Sequence, residues 1–113
     1  MEIVGELVIV AAGVLVIVIG RLTATGRIGR NPFAGIRTKR TMADAESWRI
    51  VHRGAQPWTI AAGAVLALVG LIALVVPDEA ASAIVIGVGT GLAIVLTLLG
   101  TFTGLRALNE RTL

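Results

Sequence analysis

The strongest constraint on the fold is a set of three long apolar runs, at residues 3–20, 57–76 and 80–105. Glu6 is the single charged residue within them. A helix needs about 20 mainly apolar residues to cross a hydrocarbon core about 30 Å thick, so each run is long enough to span a membrane, the first one barely. The sequence therefore predicts an all-α integral membrane protein with three transmembrane helices, which form a single membrane domain over residues 1–113.

Composition supports this fold class and excludes several functions. Hydrophobic residues make up 56% of the chain and charged residues only 15%, whereas soluble proteins carry about 25% charged residues. The absence of cysteine excludes disulfides, thiolate catalysis and cysteine-ligated metal. The net charge of +3 could indicate nucleic-acid binding, but the basic residues cluster between two apolar runs. We therefore predict a membrane protein that has no nucleic-acid partner.

The basic residues also predict the orientation in the membrane. Eight of the ten lie between Arg21 and Arg53, and the other two follow the third run. Short loops rich in Lys and Arg stay on the cytoplasmic side, whereas the turn at residues 77–79 carries two acids and no basic residue. We expect a multi-pass protein of the plasma membrane with its amino terminus outside. The loop at residues 21–56 and the carboxyl terminus would then be cytoplasmic.

The first apolar run carries acids where a signal peptide would carry positive charge. Glu2 and Glu6 come before the first basic residue, Arg21, so we expect the run to be retained as a helix. Glu6, Gly13 and Gly20 recur every seven residues and Glu2 lies near the same line, which predicts one helix face buried against other helices. Glu6 is either a carboxylate that reaches the outer headgroups or an intramembrane acid that handles a proton or a ligand.

Small residues recur at helical spacing in the second and third runs. The third run contains two G-x-x-x-G motifs, Gly87 with Gly91 and Gly100 with Gly104. The second run places three further small residues on one side, namely Gly63, Ala67 and Gly70. Such motifs let helix backbones approach closely, either within one chain or between copies. We predict a homo-oligomer that assembles through these faces.

The polar segment between the first two runs holds most of the chemically useful side chains. The sequence Thr41-Met42-Ala43-Asp44 resembles a capping box, which predicts a short amphipathic helix over residues 42–53. Trp48 and His52 would share one face of this helix on the membrane surface. Gly54 would cap its end, and Pro57 would then open the second span.

The residue types do not indicate an enzyme. His52 is the only histidine, and Asp44 with Glu46 could complete a metal site with it only across an oligomer. No Ser/His/Asp set follows from local spacing, and the two acids lie on different helix faces. We expect no catalytic residues, no metal and no cofactor. His52 either forms local hydrogen bonds or serves as a pH sensor or ligand.

Three cations precede the predicted loop helix, namely Arg37, Lys39 and Arg40. Together with the positive end of that helix they could bind the phosphate of an anionic lipid, or they could serve only to set topology. Gly35 offers a turn that could fold Arg37 back onto the face that carries Trp48 and His52. We predict that Arg37, Trp48 and His52 act as one unit.

The loop resembles that of a known family. Residues 31–38 read N-P-F-A-G-I-R-T and are followed by Thr41 and by W-x-x-x-H-R from Trp48 to Arg53. This order is similar to the loop pattern of the SdpI family of bacterial membrane proteins. The resemblance implies a three-span module with a functional loop, whose residues in this chain are Asn31, Gly35, Arg37, Thr38, Thr41, Trp48, His52 and Arg53.

The resemblance also implies a function. The family includes an immunity protein that protects a bacterial cell from a membrane-active toxin and relays the toxin's presence to a cytoplasmic repressor. We therefore expect immunity or resistance to a membrane-active toxin or to envelope stress, with the loop as the surface that meets a peptide toxin or a cytoplasmic regulator. Two alternatives stay open. One is a small transporter or lipid-binding unit that uses Glu6 and the cationic loop, and the other is a structural subunit of a larger membrane complex.

Overall fold

The computed structural model describes residues 3–112, so Met1, Glu2 and Leu113 lie outside the described residues, and with them the predicted place of Glu2 on the first helix face. The described chain is all-helical and has no strand. Its three helices are all long and apolar enough to cross a membrane, which confirms the predicted fold class. They are α1 (Ile3–Ala24), α2 (Ala45–Val75) and α3 (Glu79–Thr112).

Helix α2 is the centre of the molecule. It packs against α1 on one side and α3 on the other, and within residues 3–112 α1 and α3 do not approach each other closely. Helices of 31 and 34 residues extend about 46 and 51 Å, and the whole molecule is 53 Å long. Since the hydrocarbon core is only about 30 Å thick, the polar start of α2 and the polar end of α3 extend beyond it on the loop side.

The contact between α1 and α2 uses the predicted glycine face. Glu6, Gly13 and Gly20 are all buried, so that prediction is confirmed. A Cβ atom on Gly13 would lie 2.5 Å from the Gly63 carbonyl oxygen, and one on Gly63 would lie 2.6 Å from the Gly13 carbonyl oxygen. The two backbones therefore touch directly, which only glycine permits at this distance.

The two G-x-x-x-G motifs of α3 have different environments. A Cβ atom on Gly100 would lie 2.8 Å from the Trp58 Cβ, and Gly104 packs directly on the Val51 carbonyl of α2. Gly87 and Gly91 have no heavy atom within 4 Å of such a Cβ. The Gly100 motif thus serves packing within the chain, whereas the Gly87 motif faces away from α2.

The predicted separate helix over residues 42–53 was wrong. Among the described residues, α2 begins at Ala45 and continues without interruption to Val75. Its N-cap is Asp44, whose carboxylate accepts the Ser47 N–H at 2.7 Å, while the Thr41 hydroxyl pairs with Thr38 instead. This backbone hydrogen bond from Ser47 holds the pKa of Asp44 below its usual value.

Gly54 and Pro57 also differ from their predicted roles, because both lie inside α2. Gly54 does not end a helix. A Cβ atom there would lie 3.0 Å from the Gly104 Cα, so glycine admits α3 at this point. Pro57 removes one backbone N–H, but such a gap is tolerated in membrane helices where neighbouring helices support the segment. Here Val51 and Ala55 are 0% and 1% exposed against those neighbours.

Candidate functional site

Trp48 and His52 form the buried centre of the loop region. They lie one turn apart in α2, are 1% and 4% exposed, and place their ring centroids 4.2 Å apart. The indole N–H of Trp48 donates to the Ile28 carbonyl oxygen at 2.8 Å. A residue of α2 therefore holds the segment that follows α1, which explains why a tryptophan with its single donor is used here.

His52 connects the next part of the loop to α2. The backbone N–H of Ile36 donates to Nε2 at 2.8 Å, so Nε2 is the acceptor and carries no proton. Nδ1 then carries the proton and donates to the Trp48 carbonyl oxygen at 2.7 Å. Both ring nitrogens are therefore occupied, and the geometry requires the neutral imidazole in one tautomer.

Gly35 lets the loop backbone reach this pair. Its φ of +102° lies in the region that favours glycine. A Cβ atom there would lie 2.8 Å from both His52 Nε2 and Trp48 Cη2. Both the conformation and the space exclude a side chain, so Gly35, Trp48 and His52 form one packed group.

Asn31 holds the preceding turn together. Its amide oxygen accepts the N–H groups of Phe33 and Ala34 at 2.9 and 2.7 Å, and its amide nitrogen donates to the carbonyls of Gly29 and Ala34 at 2.8 and 3.1 Å. This Asx-type arrangement surrounds Pro32 and replaces backbone hydrogen bonds that the turn cannot form. The turn is thereby a defined structure.

Thr38 and Thr41 close the other half of the loop. Their hydroxyl oxygens are 2.7 Å apart, and the Thr41 N–H donates to the Thr38 oxygen at 3.2 Å. Thr41 is 0% exposed. Arg30 reaches across and donates to the Met42 carbonyl at 3.2 Å. The Thr38–Thr41 pair and the Arg30 side chain thus fix the backbone just before α2.

The structure brings six of the eight predicted loop residues into this connected framework: Asn31, Gly35, Thr38, Thr41, Trp48 and His52. Arg37 and Arg53 are both exposed. The guanidinium of Arg37 donates to the Pro32 carbonyl oxygen at 2.7 Å, which places it on the Asn31 turn rather than on the Trp48 and His52 rings. That Arg37 works together with this pair stays a prediction.

A cationic concavity beside the loop was not predicted. It has a volume of about 250 Å³ and is lined by Arg49 and Arg53 of α2, by Arg111 of α3, and by Glu46 and Ile50. Glu46 and Arg111 approach to 3.6 Å and join the two helices. Sequence reasoning missed this surface because it ended the third helix at residue 105, although the i,i+4 spacing of Arg49 and Arg53 was a signal. Three guanidinium groups around one concavity can bind a phosphate or a carboxylate.

Within residues 3–112, no three His, Asp or Glu side chains lie close enough to hold a metal ion. Asp44 and Glu46 are exposed at the start of α2, whereas His52 is buried with both nitrogens occupied. One chain therefore does not bring the three possible ligands together.

Comparison with known proteins identifies the family. The model of the SdpI/YfhL protein family matches residues 27–103, which is more than half of the chain. No curated protein and no solved structure matches it. The matched region contains the whole hydrogen-bonded loop, α2 and most of α3, so the suspected resemblance is confirmed. The chain belongs to the SdpI/YfhL protein family.

Proposed function

We propose that this protein is a non-enzymatic membrane protein that gives resistance to a membrane-active toxin or to envelope stress, with the loop as its recognition or signalling surface. Family membership and three candidate membrane spans support the proposal. The observation that carries it is the loop framework, because hydrogen bonds of Trp48 and His52 tie a segment without helix or strand to α2.

A fixed loop is suited to recognition because little conformational entropy is lost when a partner binds. The polar atoms of Asn31 and His52 are used inside the loop. The groups that face outward are an apolar ring and cations, and they remain available to a partner. Phe33 is 89% exposed at the tip of the Asn31 turn, and the cations Arg37 and Lys39 are exposed beside it. An apolar ring flanked by positive charge favours an anionic membrane surface, a peptide toxin or an acidic cytoplasmic regulator.

The cationic concavity supports anionic lipid as a further partner. Arg49, Arg53 and Arg111 line it near the start of α2 and the end of α3, where we expect the lipid headgroups to lie. Each cation near an anionic leaflet contributes about 1 kcal/mol of attraction. One alternative function that uses the same surface is that of a lipid-binding unit or a small transporter. The second alternative is a structural subunit of a larger membrane complex.

The function is tested with two glycine variants. Gly35→Ala places a Cβ atom against His52 and Trp48 at a positive φ, whereas Gly29→Ala meets nothing within 4 Å. Bacterial cells that express either variant at equal membrane levels are challenged with a membrane-active peptide. We expect the wild type and Gly29→Ala to protect cells and Gly35→Ala to lose protection. If wild-type cells survive no better than cells without the protein, the resistance function is excluded for that class of toxin.

A further inference from the structure

The end of the bundle opposite the loop contains a buried acid without a partner. Glu6 is 3% exposed, and its Oε2 atom has no hydrogen-bond partner within the described residues. The side chain lines a cavity of about 210 Å³ with residues of α1, α2 and the α2–α3 turn, namely Ile3, Ala73, Leu74, Val76 and Pro77. A buried polar atom left unpaired is unfavourable, so its position against a cavity indicates a missing donor.

The carboxyl end of α2 adds further negative potential to this cavity. The last four carbonyls of a helix have no intrahelical donor, and the helix dipole places partial negative charge there. Pro77 has no N–H, so the carbonyl of Ala73 cannot receive the usual bond from four residues further on. The last turn of α2 also carries no basic residue. These carbonyls and the Glu6 carboxylate therefore both favour a cation that can donate hydrogen bonds.

Among the described residues, no Lys, Arg or His side chain lies near this cavity in the sequence. Residues 3–20 and 54–105 contain no Lys, Arg or His, and the two charges nearest the α2–α3 turn are the acids Asp78 and Glu79. The remaining walls are the apolar side chains of Ile3, Leu74 and Val76. The cavity is thus negative at one point and apolar around it.

We propose that this cavity is a binding site for an organic cation with a primary ammonium group on an apolar body. The ammonium donates hydrogen bonds to Glu6 and to the free carbonyls at the end of α2, and its first carbons pack on Ile3 and Leu74. A metal ion is disfavoured, because hard cations need about six oxygen ligands, whereas the lining supplies one carboxylate beside a few helix-end carbonyls and is otherwise apolar. This site is separate from the loop and does not depend on the proposed function.

The test is a fluorescence titration of the purified protein in detergent micelles with dansylcadaverine, which carries a primary ammonium on an apolar chain. Its N-acetyl derivative is neutral and reports partitioning into the micelle. We expect saturable binding of the amine alone. Glu6→Gln keeps the shape of the side chain and should weaken binding about tenfold or more, because the charged acceptor is lost. Glu79→Gln removes the same charge from an exposed position and should bind like the wild type.

A second variant keeps the test decisive if Glu6→Gln does not fold. Leu74→Trp leaves the carboxylate in place and fills the cavity, so it should also abolish saturable binding, while circular dichroism reports an intact helical fold. Equal affinity of the wild type and Glu6→Gln, unchanged binding in folded Leu74→Trp, or equal binding of the acetylated probe would overturn the proposal. Gly35→Ala should still bind the amine, which separates this site from the loop function.

Discussion

Trp48 shows how much of the loop depends on single polar atoms. Its indole N–H holds the Ile28 carbonyl, and its ring packs on His52, while the whole side chain is 1% exposed. An unpaired polar group at such a site loses both its partner and its access to water. The effect of a substitution here should therefore follow hydrogen-bond geometry more closely than size or charge.

Trp48→Phe retains an aromatic ring and removes only the indole donor and part of the ring. We expect it to destabilise the protein by about 1–3 kcal/mol, because the Ile28 carbonyl is left without its donor. The control is Trp58→Phe, at a half-buried tryptophan in the same helix. Thermal unfolding of both variants in detergent gives the comparison. Equal effects of the two changes would mean that the indole bond does not stabilise the loop.

Arg37 is the residue at which charge and geometry can be separated. Its guanidinium donates to the Pro32 carbonyl and is exposed, so its loss should change stability little. We expect Arg37→Lys to reduce protection of cells against a membrane-active peptide, because lysine lacks the planar fork, and Lys39→Ala to be tolerated. If Arg37→Lys protects as well as the wild type, the loop cations act only through their charge and set topology.

At the scale of elements, the spans were predictable because hydropathy adds up locally along the chain. The residues at which the helices end were not predictable in the same way. Gly54 and Pro57 have the local character of helix ends, but the approach of α3 to Gly54 and the burial of Val51 and Ala55 keep α2 continuous. Tertiary packing thus overrode local propensity.

The candidate site was predictable in part: the helix face was, and the hydrogen-bond partners were not. The i,i+4 spacing placed Trp48 and His52 on one face, as observed. Their partners were not predictable, because the Ile28 carbonyl and the Ile36 N–H come to them through the path of an irregular loop, which no periodicity encodes. The burial of Glu6 did follow from periodicity, through the spacing that it shares with Gly13 and Gly20.

Gly63→Ala tests the contact between α1 and α2. Its Cβ atom would lie 2.6 Å from the Gly13 carbonyl oxygen, so the helices must separate, which costs about 1–3 kcal/mol as overpacking does elsewhere. Gly87→Ala is the matched control, since nothing lies within 4 Å of its Cβ. Unfolding in detergent should show a lower midpoint for Gly63→Ala alone. A neutral Gly63→Ala would mean that the two backbones do not need to touch.

At the scale of the whole molecule, α3 is covered by α2 on one side only. Gly87 and Gly91 remain open, whereas Gly100 and Gly104 already pack on α2. We expect Gly91→Ile to weaken self-association without unfolding the chain, because a second helix could no longer approach closely there. Gly104→Ile, by contrast, should disrupt the fold itself. Native mass spectrometry separates the two effects, and a strictly monomeric wild type would exclude the homo-oligomer.

The orientation of the molecule in the membrane is predicted from where its cations lie along the 53 Å length. The end of α1, the loop, the start of α2 and the end of α3 are at one end, and together they carry all ten Lys and Arg residues. At the other end, Asp78 precedes α3 and Glu79 begins it. Short basic segments are retained in the cytoplasm, so we expect the loop inside and the amino terminus outside.

Lys39→Cys and Glu79→Cys place single thiols at the two ends of a chain that has no native cysteine. An impermeant maleimide on intact cells should modify Cys at position 79 and spare position 39, with lysed cells as the control in which both react. The opposite labelling would place the loop outside, where it could meet a secreted toxin but not a cytoplasmic regulator.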